Sequence, residues 1–136
     1  LVTPNLQEGA LLADMPVITS REEMERAARK IAGQYGIAVL LKGGHFESDE
    51  ASDFLITDSG AECWICAPFI HTKNTHGTGC ALSAAIAAQM ALQKPMVEAV
   101  RIAKKYVHAA IRHSWANLGK GKGTLRHTIS PAEYEL

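Results

Sequence analysis

Apolar positions along this chain follow helical spacing in some stretches and run unbroken in others, and turn residues mark the changes between them. Met24, Ala27, Ala28, Ile31, Ala32 and Tyr35 repeat at helical spacing. Ser20 with Glu23 three residues on is a capping box that opens this helix, and Gly36 stands where a closing glycine belongs. Ile37-Ala38-Val39-Leu40-Leu41 is then continuously apolar, the pattern of a strand covered on both faces. Ahead of the helix, Leu1-Val2-Thr3 reads as the tail of a similar strand that begins further upstream. Thr3-Pro4-Asn5 signals a short helix to about Ala13, with proline suited to its first turn. Helix between two buried runs predicts a βαβ unit and a parallel sheet.

Further on, Phe54-Leu55-Ile56-Thr57, a turn at Asp58-Ser59-Gly60, and Glu62 to Pro68 read as a hairpin. An apolar segment from Cys80 to Leu92 predicts a buried helix. It is too short to span a bilayer and contains Ser83 and Gln89. After a break at Lys94-Pro95, a long helix is expected from about Met96 to Leu118. Val100, Ala103, Tyr106, Val107, Ala110 and Ile111 form its stripe. Ser130-Pro131-Ala132-Glu133 starts a last short helix. With no internal repeat and no low-complexity linker, residues 1–136 read as a single α/β unit.

Charge narrows the partners. Fourteen basic residues balance fourteen acidic ones, so no global field draws nucleic acid or an anionic membrane. The one concentrated positive stretch, Lys120-Gly121-Lys122-Gly123 with Arg126 and His127, reads as a solvated loop. Three cysteines, an odd number, argue against a disulfide framework and for a reducing, cytoplasmic setting. No signal-peptide pattern is visible.

The chemistry concentrates at Asn74-Thr75-His76-Gly77-Thr78-Gly79-Cys80, at the start of the apolar helix. The first N–H groups of a helix lack intrahelical acceptors, and the dipole is positive there. Glycines on both sides of Thr78 let those N–H groups turn towards one point, an anion site. A cysteine at its mouth is a thiol whose thiolate the same field favours. The motif lacks the third glycine of a dinucleotide fingerprint and the Gly-Lys-Ser/Thr ending of a Walker loop. A phosphoryl-transfer site with a thiol base is the expectation. Cys63-Trp64-Ile65-Cys66 places its two thiols on opposite faces of a strand, which suits neither zinc nor redox exchange. His71 with His76, and His108 with His113, are not spaced as helical metal pairs.

Four segments together resemble the ribokinase-like superfamily, and within it the hydroxymethylpyrimidine/phosphomethylpyrimidine kinases of thiamine biosynthesis. They are Thr3-Pro4-Asn5-Leu6 with Glu8, Leu41-Lys42-Gly43-Gly44-His45, Thr72-Lys73 leading into Asn74 to Cys80, and Gly119 to His127. Cysteine at position 80, in place of the superfamily's usual aspartate, marks this branch and some pyridoxal kinases. Order and spacing match the carboxy-terminal half of such an enzyme.

The resemblance implies a three-layer α/β/α fold and ATP-dependent phosphorylation of a pyrimidine hydroxymethyl group, then of the monophosphate. It maps the catalytic base onto Cys80 and the anion hole onto the N–H groups of Gly77, Thr78, Gly79 and Cys80. Nucleotide contacts fall on Lys42, Gly43, Gly44, Thr75, Gly77 and Gly79. Magnesium and phosphates fall to Asn5 and Glu8, although Asn-x-x-Glu also caps a helix unaided. Asp53 to Thr57 and Ile70 to Asn74 border the nucleotide by the same resemblance. Thr124 stands where the family pattern has proline. The family's pyrimidine pocket comes largely from an amino-terminal half that is not in this sequence, so the chain reads as a fragment, inactive alone. Exposed sheet edge and apolar surface then predict a homo-oligomer. Two other readings stand beside this one: a pyridoxal-type kinase, and a non-catalytic nucleotide-binding or assembly module.

Overall fold

The computed structural model describes residues 1–47, 49–115 and 120–130, and its contacts divide the chain into two compact units, Leu1–Phe69 and Ile70–Leu136. No Pro-, Gly- or Ser-rich linker marks that division, which falls directly after a strand.

The first unit contains α1 (Leu6–Leu12), α2 (Arg21–Tyr35), β1 (Val39–Glu47), β2 (Glu50–Ile56) and β3 (Glu62–Pro68). Its sheet has the order β1-β2-β3, with both pairs antiparallel. The expected parallel pairing is present where residues 2–5 run beside β1. There Val2 N–H donates to Ala38 O at 3.0 Å, Leu40 N–H to Val2 O at 2.9 Å, and Lys42 N–H to Pro4 O at 2.9 Å. The β1–β2 pairing was not expected, because β1 does not stop at Leu41. Between the pairs Lys42–Asp53 and His45–Ala51, β1 spends three residues against two of β2. Gly44, at φ +59°, takes up the extra residue as a bulge.

Local signals set the helix ends. Asn5 caps α1, so Pro4 precedes the cap and does not enter the first turn. At α2, Ser20 Oγ accepts from Glu23 N–H at 3.2 Å. The Glu23 carboxylate reaches Thr19, one residue earlier than a capping box requires, accepting from its N–H at 2.7 Å and its hydroxyl at 2.9 Å. The backbone bond from Thr19 is the main reason its carboxyl lies below the usual range. Gly36 closes α2 at φ +62°. Met24, Ala27, Ala28 and Ile31 bury one face of α2 in a cluster with Val39, Leu41, Phe54 and Ile56. Tyr35, last on the predicted stripe, is exposed.

The second unit holds α3 (Thr78–Ala91) and α4 (Met96–Arg112). On α4, Val100, Ala103, Val107 and Ala110 of the predicted stripe are buried, with Ala99 beside them, while Tyr106 and Ile111 are only partly buried. The helix is shorter than expected: His113 is its C-cap, and Ser114 and Trp115 leave it to accept hydrogen bonds from Asn74. Ala109 and Ala110 cluster with Leu125 and Ile129. The expected burial of α3 does not hold, since only Leu82 and Ile86 are buried. A run of alanines carries no side-chain asymmetry to pick one face for burial. The expected continuation to Leu118, Gly119, and the helix at Pro131 to Glu133 lie outside the described residues. Among the described residues no helix is long and apolar enough to cross a membrane.

Candidate active site

Gly77 caps α3 with φ +85° and ψ 1°, a conformation in which glycine avoids a Cβ penalty, and no side chain caps the helix. The ladder begins with Ala81 N–H donating to Gly77 O at 2.9 Å. Thr78, Gly79 and Cys80 therefore carry N–H groups that precede the ladder. Thr78 is braced against the loop, its N–H 3.3 Å and its hydroxyl 2.7 Å from Thr75 O. That leaves Gly79 and Cys80 as the freer donors. No acidic residue occupies the first turn, so nothing within it offsets the positive end of the dipole. Cys80, third in the helix, is exposed and free of any disulfide. A cleft of about 470 Å³ lies beside it, lined among others by Ala84, Ala88, Ile102, Tyr106 and His127.

The loop leading in is fastened to the end of the unit. Asn74, 6% exposed, donates from Nδ2 to Ser114 Oγ at 3.0 Å and to Trp115 O at 3.1 Å. His76 N–H donates to Gly123 O at 3.1 Å, and His76 pairs with Thr124 as a parallel bridge. Thr124, where the resemblance expects proline, joins this pairing, with its hydroxyl 3.4 Å from His76 O.

Asn5, Glu8, Lys42, Gly43 and Gly44 belong to the first unit. Backbone pairing sets Asn5 beside Lys42. Lys42 is half-buried and lies within its strand, because β1 continues beyond the apolar run to Glu47. Asn5 and Glu8 form a complete capping box. Asn5 Oδ1 accepts from Glu8 N–H at 2.9 Å, and Glu8 Oε2 accepts from Asn5 N–H at 2.8 Å. Both are exposed, and the cap leaves the second oxygen of Glu8 open. One carboxylate oxygen suits magnesium, which keeps most of its waters and takes the rest of its ligands from phosphate. Among the described residues no three His, Cys, Asp or Glu side chains gather into a metal cage.

Gly43 serves the sheet. A Cβ there would overlap the Ser52 carbonyl of β2 and sit 3.1 Å from Met24 Cε. Gly44 has open space around it and needs glycine for its positive φ. Two residues that the resemblance places only in segments bordering the nucleotide make contacts here that the sequence reading does not supply. Asp53, 4% exposed, accepts from Gly43 N–H at 3.2 Å and steadies the bulge. The resemblance places it only at the head of the nucleotide-bordering segment Asp53 to Thr57. Asn74 stands within the motif and at the end of the segment Ile70 to Asn74, with no role there beyond bordering the nucleotide. In β3, Cys63 is half-buried and Cys66 exposed, and Cys66 Sγ lies 3.4 Å from Ser52 Oγ.

Known proteins are similar to this chain in sequence and in fold. A family model described as phosphomethylpyrimidine kinase matches residues 1–126. The hydroxymethylpyrimidine/phosphomethylpyrimidine kinase of Rhizobium meliloti (strain 1021) is 44% identical over 128 residues, covering 93% of this chain and 48% of the relative. The thiamine biosynthesis bifunctional protein ThiED of Geobacter sulfurreducens is 41% identical over 130 residues, 96% of this chain and 26% of that protein. Among solved structures, Staphylococcus aureus pyridoxal kinase in complex with AMP-PCP superposes with a TM-score of 0.86 at 31% identity, over 93% of this chain and 46% of the other. The ADP complex of Bacillus subtilis pyridoxal kinase gives 0.84 at 32% identity, over 93% and 48%. These likenesses show the expected α/β, ribokinase-like fold class. The chain spans about half the length of the curated hydroxymethylpyrimidine/phosphomethylpyrimidine kinases it matches. It belongs to the phosphomethylpyrimidine kinase family.

Proposed function

We propose that these residues supply the phosphate-binding loop and the base of an ATP-dependent kinase acting on 4-amino-5-hydroxymethyl-2-methylpyrimidine and its monophosphate in thiamine biosynthesis. The observation that carries the reading is the start of α3, where Gly77 in a left-handed turn and exposed Cys80 frame N–H groups outside the helix ladder. The substrate hydroxyl oxygen attacks the γ-phosphorus, the bond to the β–γ bridging oxygen breaks, and ADP leaves. The hydroxyl proton passes to the Cys80 thiolate. Charge spread over the equatorial phosphoryl oxygens is met by the Gly79 and Cys80 N–H groups, with Gly77 and Thr78 shaping the turn. Lys42 acts as a point charge on phosphate. Gly44 and Thr75 border the nucleotide. Magnesium, when bound through Glu8 and Asn5, neutralises phosphate charge.

Names of relatives support the pyrimidine, at 37–44% identity. Pyridoxal is the second reading, favoured by the pyridoxal kinases among the structural neighbours. Free Cys63, Cys66 and Cys80 suit the cytoplasm. Exposed Met90 and Leu92 at the end of α3 support self-association into a homo-oligomer. The test is ADP release by the full-length protein with Mg-ATP and either substrate. We expect kcat/KM for the pyrimidine to exceed that for pyridoxal at least about tenfold, the scale on which one pocket separates related substrates. The reverse order would transfer the assignment to pyridoxal. Tight Mg-ATP binding with no ADP release from either would make the chain a nucleotide-binding module.

A further inference from the structure

We propose that Asn74 is a positioning residue for the phosphate loop, holding the Gly79 and Cys80 N–H groups in register by tying the loop to the chain just beyond α4. The inference rests on the phosphoryl-transfer reading of α3. Asn74 is the one buried polar side chain of the second unit among the described residues. Both hydrogens of its amide have acceptors, Ser114 Oγ at 3.0 Å and Trp115 O at 3.1 Å. Its own N–H donates to Thr72 Oγ1 at 3.1 Å. Its side-chain oxygen lies so close to Gly123 that a Cβ there has no room.

Two residues on, His76 N–H donates to Gly123 O at 3.1 Å, and the turn at Gly77 follows at once. The four residues from Asn74 to Gly77 are thus fastened at Asn74 and His76, and α3 starts from that fastening. A buried amide left without its acceptors is costly, so the arrangement has one preferred register. Phosphoryl transfer depends on donor direction more than on any covalent step by the protein. In this proposal Asn74 acts through the loop it holds.

Asn74→Ala, Ser114→Ala, Ser114→Thr and the double variant Asn74→Ala/Ser114→Ala separate positioning from bulk stability. Each is measured at full length for kcat, for KM of the pyrimidine, and for folded fraction by circular dichroism. We expect Asn74→Ala to lower kcat about ten- to a hundredfold, the scale of a small misplacement, with KM within about twofold. Ser114→Ala should lower kcat about threefold to tenfold, and Ser114→Thr, which keeps the acceptor, should restore it. The double variant should fall no further than Asn74→Ala alone. Wild-type kcat in Asn74→Ala, independent losses that multiply, or a loss accounted for by the unfolded fraction would overturn the proposal. If Asn74→Ala does not fold, Ser114→Ala decides: lowered kcat in folded protein with rescue by threonine supports it, and wild-type kcat overturns it. A Cys80→Ala variant with normal turnover would remove the base assignment alone, because the Asn74–Ser114 coupling requires only that turnover uses the loop.

Discussion

Replacing Gly43 by alanine tests whether the sheet or the nucleotide demands that glycine. The added Cβ would overlap the Ser52 carbonyl oxygen and meet Met24 Cε at 3.1 Å and Sδ at 3.2 Å. Met24 is a flexible side chain and can move, but the carbonyl belongs to β2 and moves only with the strand. Relief therefore separates β1 from β2 at the bulge and lengthens the bond from Gly43 N–H to Asp53 Oδ1, already 3.2 Å. Overpacking of this kind costs about 1–3 kcal/mol. For a chain of this size each kcal/mol lowers Tm by roughly 3–5 °C, so a fall of about 3–15 °C is expected. Gly44→Ala is the companion. Its Cβ meets nothing, and the φ of +59° alone costs about 1–2 kcal/mol. Thermal unfolding followed by far-ultraviolet circular dichroism, with and without ADP, reads both. A Gly43→Ala protein within about 2 °C of wild type, but weakened in ADP binding, would refute the reasoning and return Gly43 to the nucleotide.

Three other outcomes follow from the same structure. Gly77→Ala places a residue at φ +85° for about 1–2 kcal/mol of backbone strain. It should lower kcat well below that of Gly121→Ala, whose Cβ also meets open space without a positive φ; equal rates would sink the loop reading. Arg29 holds Glu62 by two hydrogen bonds of 2.8 and 2.7 Å, which keep that carboxyl below its ordinary range. Because the folded value is depressed, this support is present above the unfolded glutamate range and is lost as pH falls through the folded value. Tm should therefore drop between neutral and strongly acid pH by more in wild type than in Arg29→Ala; parallel curves would contradict it. Cys63→Ser with Cys66→Ser should leave kcat within about twofold, and a larger loss would give these thiols a part in turnover.

Much of the architecture was legible in local chemistry. Ser20 and Gly36 mark the ends of α2, the turn at Asp58 to Gly60 joins β2 to β3, and Pro95 starts α4, each through a signal confined to a few residues. What escaped depends on neighbours distant in sequence. The apolar run ends at Leu41, yet pairing with β2 carries β1 on through Gly43 and the bulge at Gly44. The alanine run of α3 says helix without saying which side is covered. Of the site, the turn at Gly77 and the exposure of Cys80 were readable, because glycine and helix-start rules act locally. Asn74 was not readable as a fastening, since Ser114 and Trp115 lie 40 and 41 residues away. The capping use of Asn5 and Glu8 was readable, and the structure realises it fully.

Cys80 is the residue on which the account turns, and ADP release with Mg-ATP and 4-amino-5-hydroxymethyl-2-methylpyrimidine, comparing the full-length protein with its Cys80→Ala variant, tests it most directly. Loss of the base should lower kcat by about a hundredfold or more while the KM for ATP stays within about threefold, since the N–H groups of the loop remain. A Cys80→Ala protein that turns over at the wild-type rate would contradict the account and leave α3 as an anion site whose base lies elsewhere.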